Sequence, residues 1–224
     1  MADSTAGRPG TRLRTEFRGA LDAYQSDILE MAELARLNLA NASAALLDQD
    51  LEAAEEALTG SDTAVEVHRR CEDRALVLLA RQSPVASDLR QVLAYIHIET
   101  DLERMSNLAK LVAKISRQHH PEQVLPDDVV QRVRDMAGAA EEMAARVVEL
   151  IASGEPASVE LVTMDDVVDD CARELARLTC GDWPHSVRQA VELALICRYY
   201  ERFADHCVAI ARQVDFMVHG RRER

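Results

Sequence analysis

The chain has 224 residues, 48% hydrophobic, 29% charged and only 4% aromatic, with 8 Gly and 6 Pro. This is the profile of packed helices, and it excludes a β-sandwich, which needs more aromatic and turn residues. With 26 Lys and Arg against 39 Asp and Glu, the formal charge is −13. Nucleic acid is thereby excluded as a main partner, because phosphate binding needs clustered basic residues to displace counterions. Cations and basic protein surfaces suit such a chain better.

The length permits one large domain or two of about 100 residues each, enough to bury a substantial apolar core. Five cysteines, Cys71, Cys171, Cys180, Cys197 and Cys207, are odd in number and form no CxxC. Neither a disulfide framework nor a thiolate zinc site is indicated, and a reducing cytoplasm is the expected location. The N-terminal MADSTAGRPGTR lacks a signal-peptide apolar region, and no run approaches 18 apolar residues. The reading is a cytoplasmic protein that meets membranes only through partners.

Helical periodicity predicts helices over about 13–47, 50–81, 85–117, 127–153, 157–180 and 185–218. All six prolines fall between these stretches, so the helices should be long and uninterrupted. Asp48 to Asp50, Gly60, Gly154 and Gly181 mark breaks or relaxed turns. Pro84 and Pro184 occupy first-turn positions, with Ser83, and Trp183 with Asp182, as the capping residues. The segment HHPEQVLP at 119–126 reads as a linker. The expected layout is a disordered extension at 1–12, a three-helix bundle at 13–118, the linker, a second bundle at 127–218 and a tail at 219–224.

Three helices on each side of a linker call for an internal repeat, and one is found at an offset of 98 residues. It pairs Arg90 with Arg188, Gln91 with Gln189, Ile98 with Ile196, Glu103 with Glu201 and Arg104 with Arg202. Leu89 matches Val187, Leu93 matches Val191, Met105 matches Phe203 and Val112 matches Ile210, so the apolar register repeats too. The expected fold class is all-α, two tandem three-helix bundles.

In the last helix, Tyr199, Phe203, Ile210, Val214 and Met217, with Val187, Val191 and Leu195 before them, form the expected buried stripe. Glu201 and Asp205 lie off it, four residues apart on the outward side. The preceding helix carries MDDVVDDC, in which Asp165 with Asp169 and Asp166 with Asp170 repeat that spacing. One reading is a solvated acidic face neutralised by Arg198 and Arg202. The other is a hard-cation site, which needs six or more oxygen ligands and therefore both helices. The two readings divide on whether Glu201 and Asp205 face at least two of the 165–170 aspartates. The first half offers Asp62 with Glu66, and Glu103, but Asn107 stands where the second half has Asp205. A neutral amide is the poorer ligand.

YYERFADHCVAIARQV at 199–214 resembles the ERxxDH signature helix of PhoU proteins, and RQSPVASDLRQVLAYI at 81–96 resembles the start of their third helix. The resemblance spans about Arg12 to Phe216 and is nearest the actinobacterial PhoY-type members. It implies a double three-helix bundle with metal clusters on its outer surface. Candidate metals are iron or zinc, with manganese or magnesium as alternatives. It further implies negative regulation of phosphate-starvation signalling, through contact with the ATPase subunit of the phosphate ABC transporter and with a PAS-containing sensor histidine kinase. Homodimers are compatible with it. Its metal positions fall here on Asp165, Asp166, Asp169, Asp170, Glu201 and Asp205, with Asp62, Glu66 and Glu103 in the first half. Asp88 and Arg90 match its DLR motif and are candidates for partner contact, or else for a helix-start acid and an arginine bridging to the next helix.

Enzymatic alternatives fare worse. A di-metal oxidase bundle needs Glu-x-x-His pairs, and none of the seven histidines has Glu three residues before it. Neither GxxxxGK[ST] nor GxGxxG occurs. No nucleophile elbow is apparent, and His206 reads as a helix-surface residue. What remains is a metal-containing adaptor without enzymatic activity, or a metal-free helical scaffold whose acidic patches bind basic partners.

Overall fold

The computed structural model describes residues 9–82 and 87–220. They form six α-helices and no strand: α1 (Pro9–Leu47), α2 (Leu51–Gln82), α3 (Ser87–His119), α4 (Asp127–Ser153), α5 (Ser158–Cys180) and α6 (Val187–His219). Pro9 opens α1, four residues earlier than the periodicity predicts. The Ser83 cap and Pro84 lie outside the described residues, as do residues 1–8 and 221–224.

Each half is a three-helix bundle, α1, α2 and α3 packing on one another and α4, α5 and α6 likewise. The halves join where α1 packs on α4 and α3 on α6. These four helices close a ring, with α2 flanking one side of it and α5 the other. On α1, Tyr24, Ile28, Met31, Ala35, Leu39, Ala42 and Leu46 recur at three- and four-residue steps and are fully buried. On α4, Val129, Val133, Met136, Ala140, Met143, Val147 and Leu150 do the same. Both stripes belong to one core continuous across the halves. Each large aliphatic side chain in it contributes about 1.5–3 kcal/mol. The 119–126 segment joins that core, since Val124 and Leu125 are buried.

Three expectations need correction. Gly60 does not break a helix but sits inside α2. A Cβ there would stand 2.0 Å from Asn38 Oδ1 of α1, so the missing side chain lets the two helices approach. The cap of α6 is Ser186, not Trp183 or Asp182: its hydroxyl accepts from the Gln189 amide, and the Gln189 side chain accepts from the Ser186 amide. The predicted stripe on α6 also fails at its start. Val187, Val191 and Leu195 are 80%, 53% and 42% exposed, while Leu193, Ile196, Tyr200 and Phe203 are buried. A step of four residues advances 400°, so three such steps back from Tyr199 rotate Val187 about 120° off the core.

Candidate functional site

The start of α5 is tied down by α6. Asp215 accepts from the Ala157 amide at 3.0 Å and from the Ser158 hydroxyl, so a carboxylate from another helix caps orphan donors that no local side chain caps. The two helices then run antiparallel, and this brings the acidic residues of one beside those of the other.

Asp165, Asp169, Glu201 and Asp205 converge across the α5–α6 interface. Burial, and then the charges of Asp169, Asp205 and Asp166, push the Asp165 carboxyl up to about 6, against some relief from Arg212. Glu201 is also raised, by burial first and by Asp169 and Asp205, while Arg198 and Arg173 act to lower it. Asp165 Oδ1 is buried and has no hydrogen-bond partner. Two of the six proposed ligands are placed differently: Asp166 is exposed, though its charge still acts on Asp165, and Asp170 pairs with Arg173. Among the described residues, no three His, Cys, Asp or Glu side chains already close on a point fit for a metal ion. The patch is four crowded carboxylates with an unsatisfied oxygen, not a formed coordination sphere.

The first half spends its acids differently. Lys110 Nζ donates to Asp62 Oδ1 at 2.5 Å, and this bond, with Lys114 adding to it, holds the Asp62 carboxyl below its usual range. Asn107 Nδ2 donates to Glu103 Oε1 at 3.2 Å, and Glu66 is exposed. At the repeat offset Lys110 corresponds to Val208, so a fixed ammonium stands here with no equivalent in the second half. Asp62, Glu66 and Glu103 therefore do not fit a cation.

Asp88 lies in the first turn of α3, where the helix dipole favours an acid. The Arg90 side chain lies against Gly220, the left-handed residue (φ 67°) that closes α6. A cation at that C-terminal end is favoured in the same way.

Several polar residues escaped the sequence reading. Tyr24 donates to Glu99 Oε2 at 2.7 Å, and Glu99, only 3% exposed, is raised to about 7, mainly by burial. Asp27 of α1 pairs with Arg70 and Arg74 of α2. His206 is not on the surface; it is 9% exposed and bonded through Nδ1 to Asp101 at 3.0 Å across α3 and α6. His119 meets Glu192 at 2.7 Å across the same two helices. One signal was available: Glu99 sits in core register with Tyr95 and Leu102, where a carboxylate requires a partner.

The PhoU domain family matches residues 28–116 and 133–214, one copy in each half. The chain belongs to the PhoU family. It is 37% identical over 210 residues to "Phosphate-specific transport system accessory protein PhoU homolog 2" of Mycobacterium tuberculosis, covering 93% of this chain and 99% of that one. To the PhoU homolog of Synechocystis it is 29% identical over the full length of both. The crystal structure of PhoU from Pseudomonas aeruginosa superposes with a TM-score of 0.81 at 25% identity, covering 92% of this chain and all of that one. PhoU of Streptococcus pneumoniae shares the fold, with TM-score 0.81 at 22% identity. The doubled helical bundle expected from the repeat is thus the family architecture. Among the described residues no helix is long and apolar enough to cross a membrane.

Proposed function

We propose that this chain is an accessory regulator of phosphate transport that represses phosphate-starvation signalling while phosphate is sufficient. It acts by contact rather than by catalysis, bridging the ATPase subunit of the phosphate ABC transporter and the PAS-containing sensor histidine kinase. Its hold on the membrane runs through those partners. The observation that carries this reading is similarity to the mycobacterial transport accessory proteins across both halves of the duplicated fold, at 37% identity over 93% of the chain. Deleting the gene should derepress phosphate-scavenging genes in phosphate-rich medium, read by transcript levels. An unchanged response, with no second copy of the gene compensating, would sink the assignment.

The second-half patch fits a cation in one specific respect: Asp165 Oδ1 is buried and unsatisfied amid three further carboxylates. Asp165, Asp169, Glu201 and Asp205 would hold the ion, and a bound cation would supply the positive charge that offsets their repulsion. Iron or zinc are the candidates, with manganese or magnesium as alternatives. Elemental analysis of untagged protein and of Glu201→Ala/Asp205→Ala decides the matter. Metal near one equivalent in wild type and none in the variant supports the site. No metal in either leaves the scaffold reading, in which Arg173, Arg198 and Arg212 offset the acids and the patch meets basic partners directly. That second reading is favoured by the arginines already facing the patch: Arg198 and Arg173 act to lower Glu201, and Arg212 to lower Asp165.

A further inference from the structure

Beyond the acidic patch, the C-terminal half of α5 and residues 193–201 of α6 line an open groove of about 410 Å3. Its floor is made of small side chains, Ala172, Ala176, Ala194 and Cys197, over the buried Leu175 and Leu193. Asp169 and Glu201 close it at the end nearest the patch. In the first half the repeat places Tyr95 where α6 has Leu193 and Glu99 where it has Cys197. There Tyr24 of α1 packs edge-on against Tyr95 with ring centroids 5.3 Å apart and bonds Glu99. At the same two positions α6 carries the smaller leucine and cysteine, and both line the groove.

Two arginines, Arg173 and Arg198, offset the two acids of the groove wall, and a second arginine follows each of them one turn on. Arg173 and Arg177 lie four residues apart on α5, and Arg198 and Arg202 four apart on α6, so each pair projects from one side of its helix. Arg173 and Arg198 stand in the groove wall itself. Arg173 pairs with Asp170 and Arg198 reaches Glu201 only at 3.8 Å, while Arg177 and Arg202 make no ion pair among the described residues. Next to Ala194 and Arg198, the exposed Val191 and Leu195 extend the apolar floor outward.

We infer that this groove seats an amphipathic helix of another protein, its apolar ridge lying between α5 and α6 and its flanking carboxylates meeting the two arginine pairs. The span from Asp169 to Cys180 is about 17 Å, or some three turns of helix, which suits anchors at i, i+3 or i+4, and i+7. The surrounding surface of a chain with charge −13 repels such a helix. Arg177 and Arg202, unpaired among the described residues on either side of the apolar floor, attract it, and that sets where it docks and in which register. The inference holds whether or not the acidic patch binds a cation, and whichever partner supplies the helix.

The test uses full-length protein and two labelled synthetic helices of about five turns, with the same leucine ridge but glutamates or lysines on the flanks, followed by fluorescence anisotropy. The glutamate peptide should bind at least about tenfold more tightly than the lysine peptide. Ala194→Gln, which fills the floor from a solvent-facing helix position, and Arg177→Glu/Arg202→Glu should each weaken it by about tenfold or more, with helical content and melting unchanged. Preference for the lysine peptide, binding that ignores Ala194→Gln, or no saturable binding of either peptide would each overturn the inference. So would concentration-dependent dimerisation abolished by Ala194→Gln, which would make a second copy of this chain the occupant.

Discussion

Replacing Glu99 by glutamine should stabilise the protein at neutral and alkaline pH and do little in acid. Glu99 is buried between α1 and α3, its carboxyl raised from the ordinary 4.5 to about 7 by burial and by the nearby Glu72 charge, with the Tyr24 hydroxyl bond acting to lower it. Because the folded protein holds this proton more tightly than the unfolded chain, ν_N exceeds ν_U between about pH 4.5 and 7. Stability therefore falls as pH rises through that window. With those two values the loss is about 0.8 kcal/mol at pH 5 and about 3.3 kcal/mol at pH 8, a difference of about 2.5 kcal/mol carried by this one group. Glutamine keeps a carbonyl oxygen for the Tyr24 hydroxyl but has no charge to bury. Urea denaturation of wild type and Glu99→Gln at both pH values isolates the contribution, since the other carboxyls cancel in the comparison. The variant should gain on wild type by about 2–3 kcal/mol from pH 5 to pH 8. A difference that stays constant within about 0.5 kcal/mol would show that Glu99 is ionised and satisfied in the folded state, and would refute the reasoning.

The two glycines inside helices should respond in opposite directions. Gly60→Ala forces a Cβ onto Asn38 Oδ1 and should destabilise by about 1–3 kcal/mol, whereas Gly138→Ala in α4, with nothing within 4 Å of the new atom, should stabilise by about 0.5–1 kcal/mol, both by chemical denaturation. Ser186→Ala removes the α6 capping box and should cost about 1 kcal/mol, with faster amide exchange confined to the first turn of α6. If the second-half patch binds metal, Asn107→Asp/Lys110→Val gives the first half the residues found at Asp205 and Val208. Elemental analysis should then show metal content rising toward a second equivalent; no gain would show that more than the ammonium separates the two sites.

Helix order, the repeat and the acidic pairs were legible because each is a local or periodic property of the chain. Proline exclusion and three- and four-residue spacing place helix ends within a few residues. An i,i+4 carboxylate pair such as Glu201 and Asp205 projects together from any helix that contains it. The Ser186-x-x-Gln189 box is likewise a local property of the chain. What could not be read was how each helix turns about its axis. Val191 and Val214 are equally apolar, yet one faces solvent and the other the core, because burial depends on which neighbour lies alongside. Likewise, Glu99 and Glu103 stand one turn apart on α3, yet α1 brings a buried tyrosine to the first, while the second is half-buried and bonds Asn107 of its own helix.

By itself, then, the sequence determined an all-helical, duplicated, acidic chain with carboxylate pairs on α5 and α6, since composition and periodicity act through short-range backbone geometry. Only the tertiary structure decided that Asp165 and Asp169 face Glu201 and Asp205, that Lys110 pairs with Asp62 in the first half, and that a groove lies between α5 and α6. The reason is that charge crowding, desolvation and empty volume are properties of pairs of helices, fixed by register and rotation between segments distant in the chain.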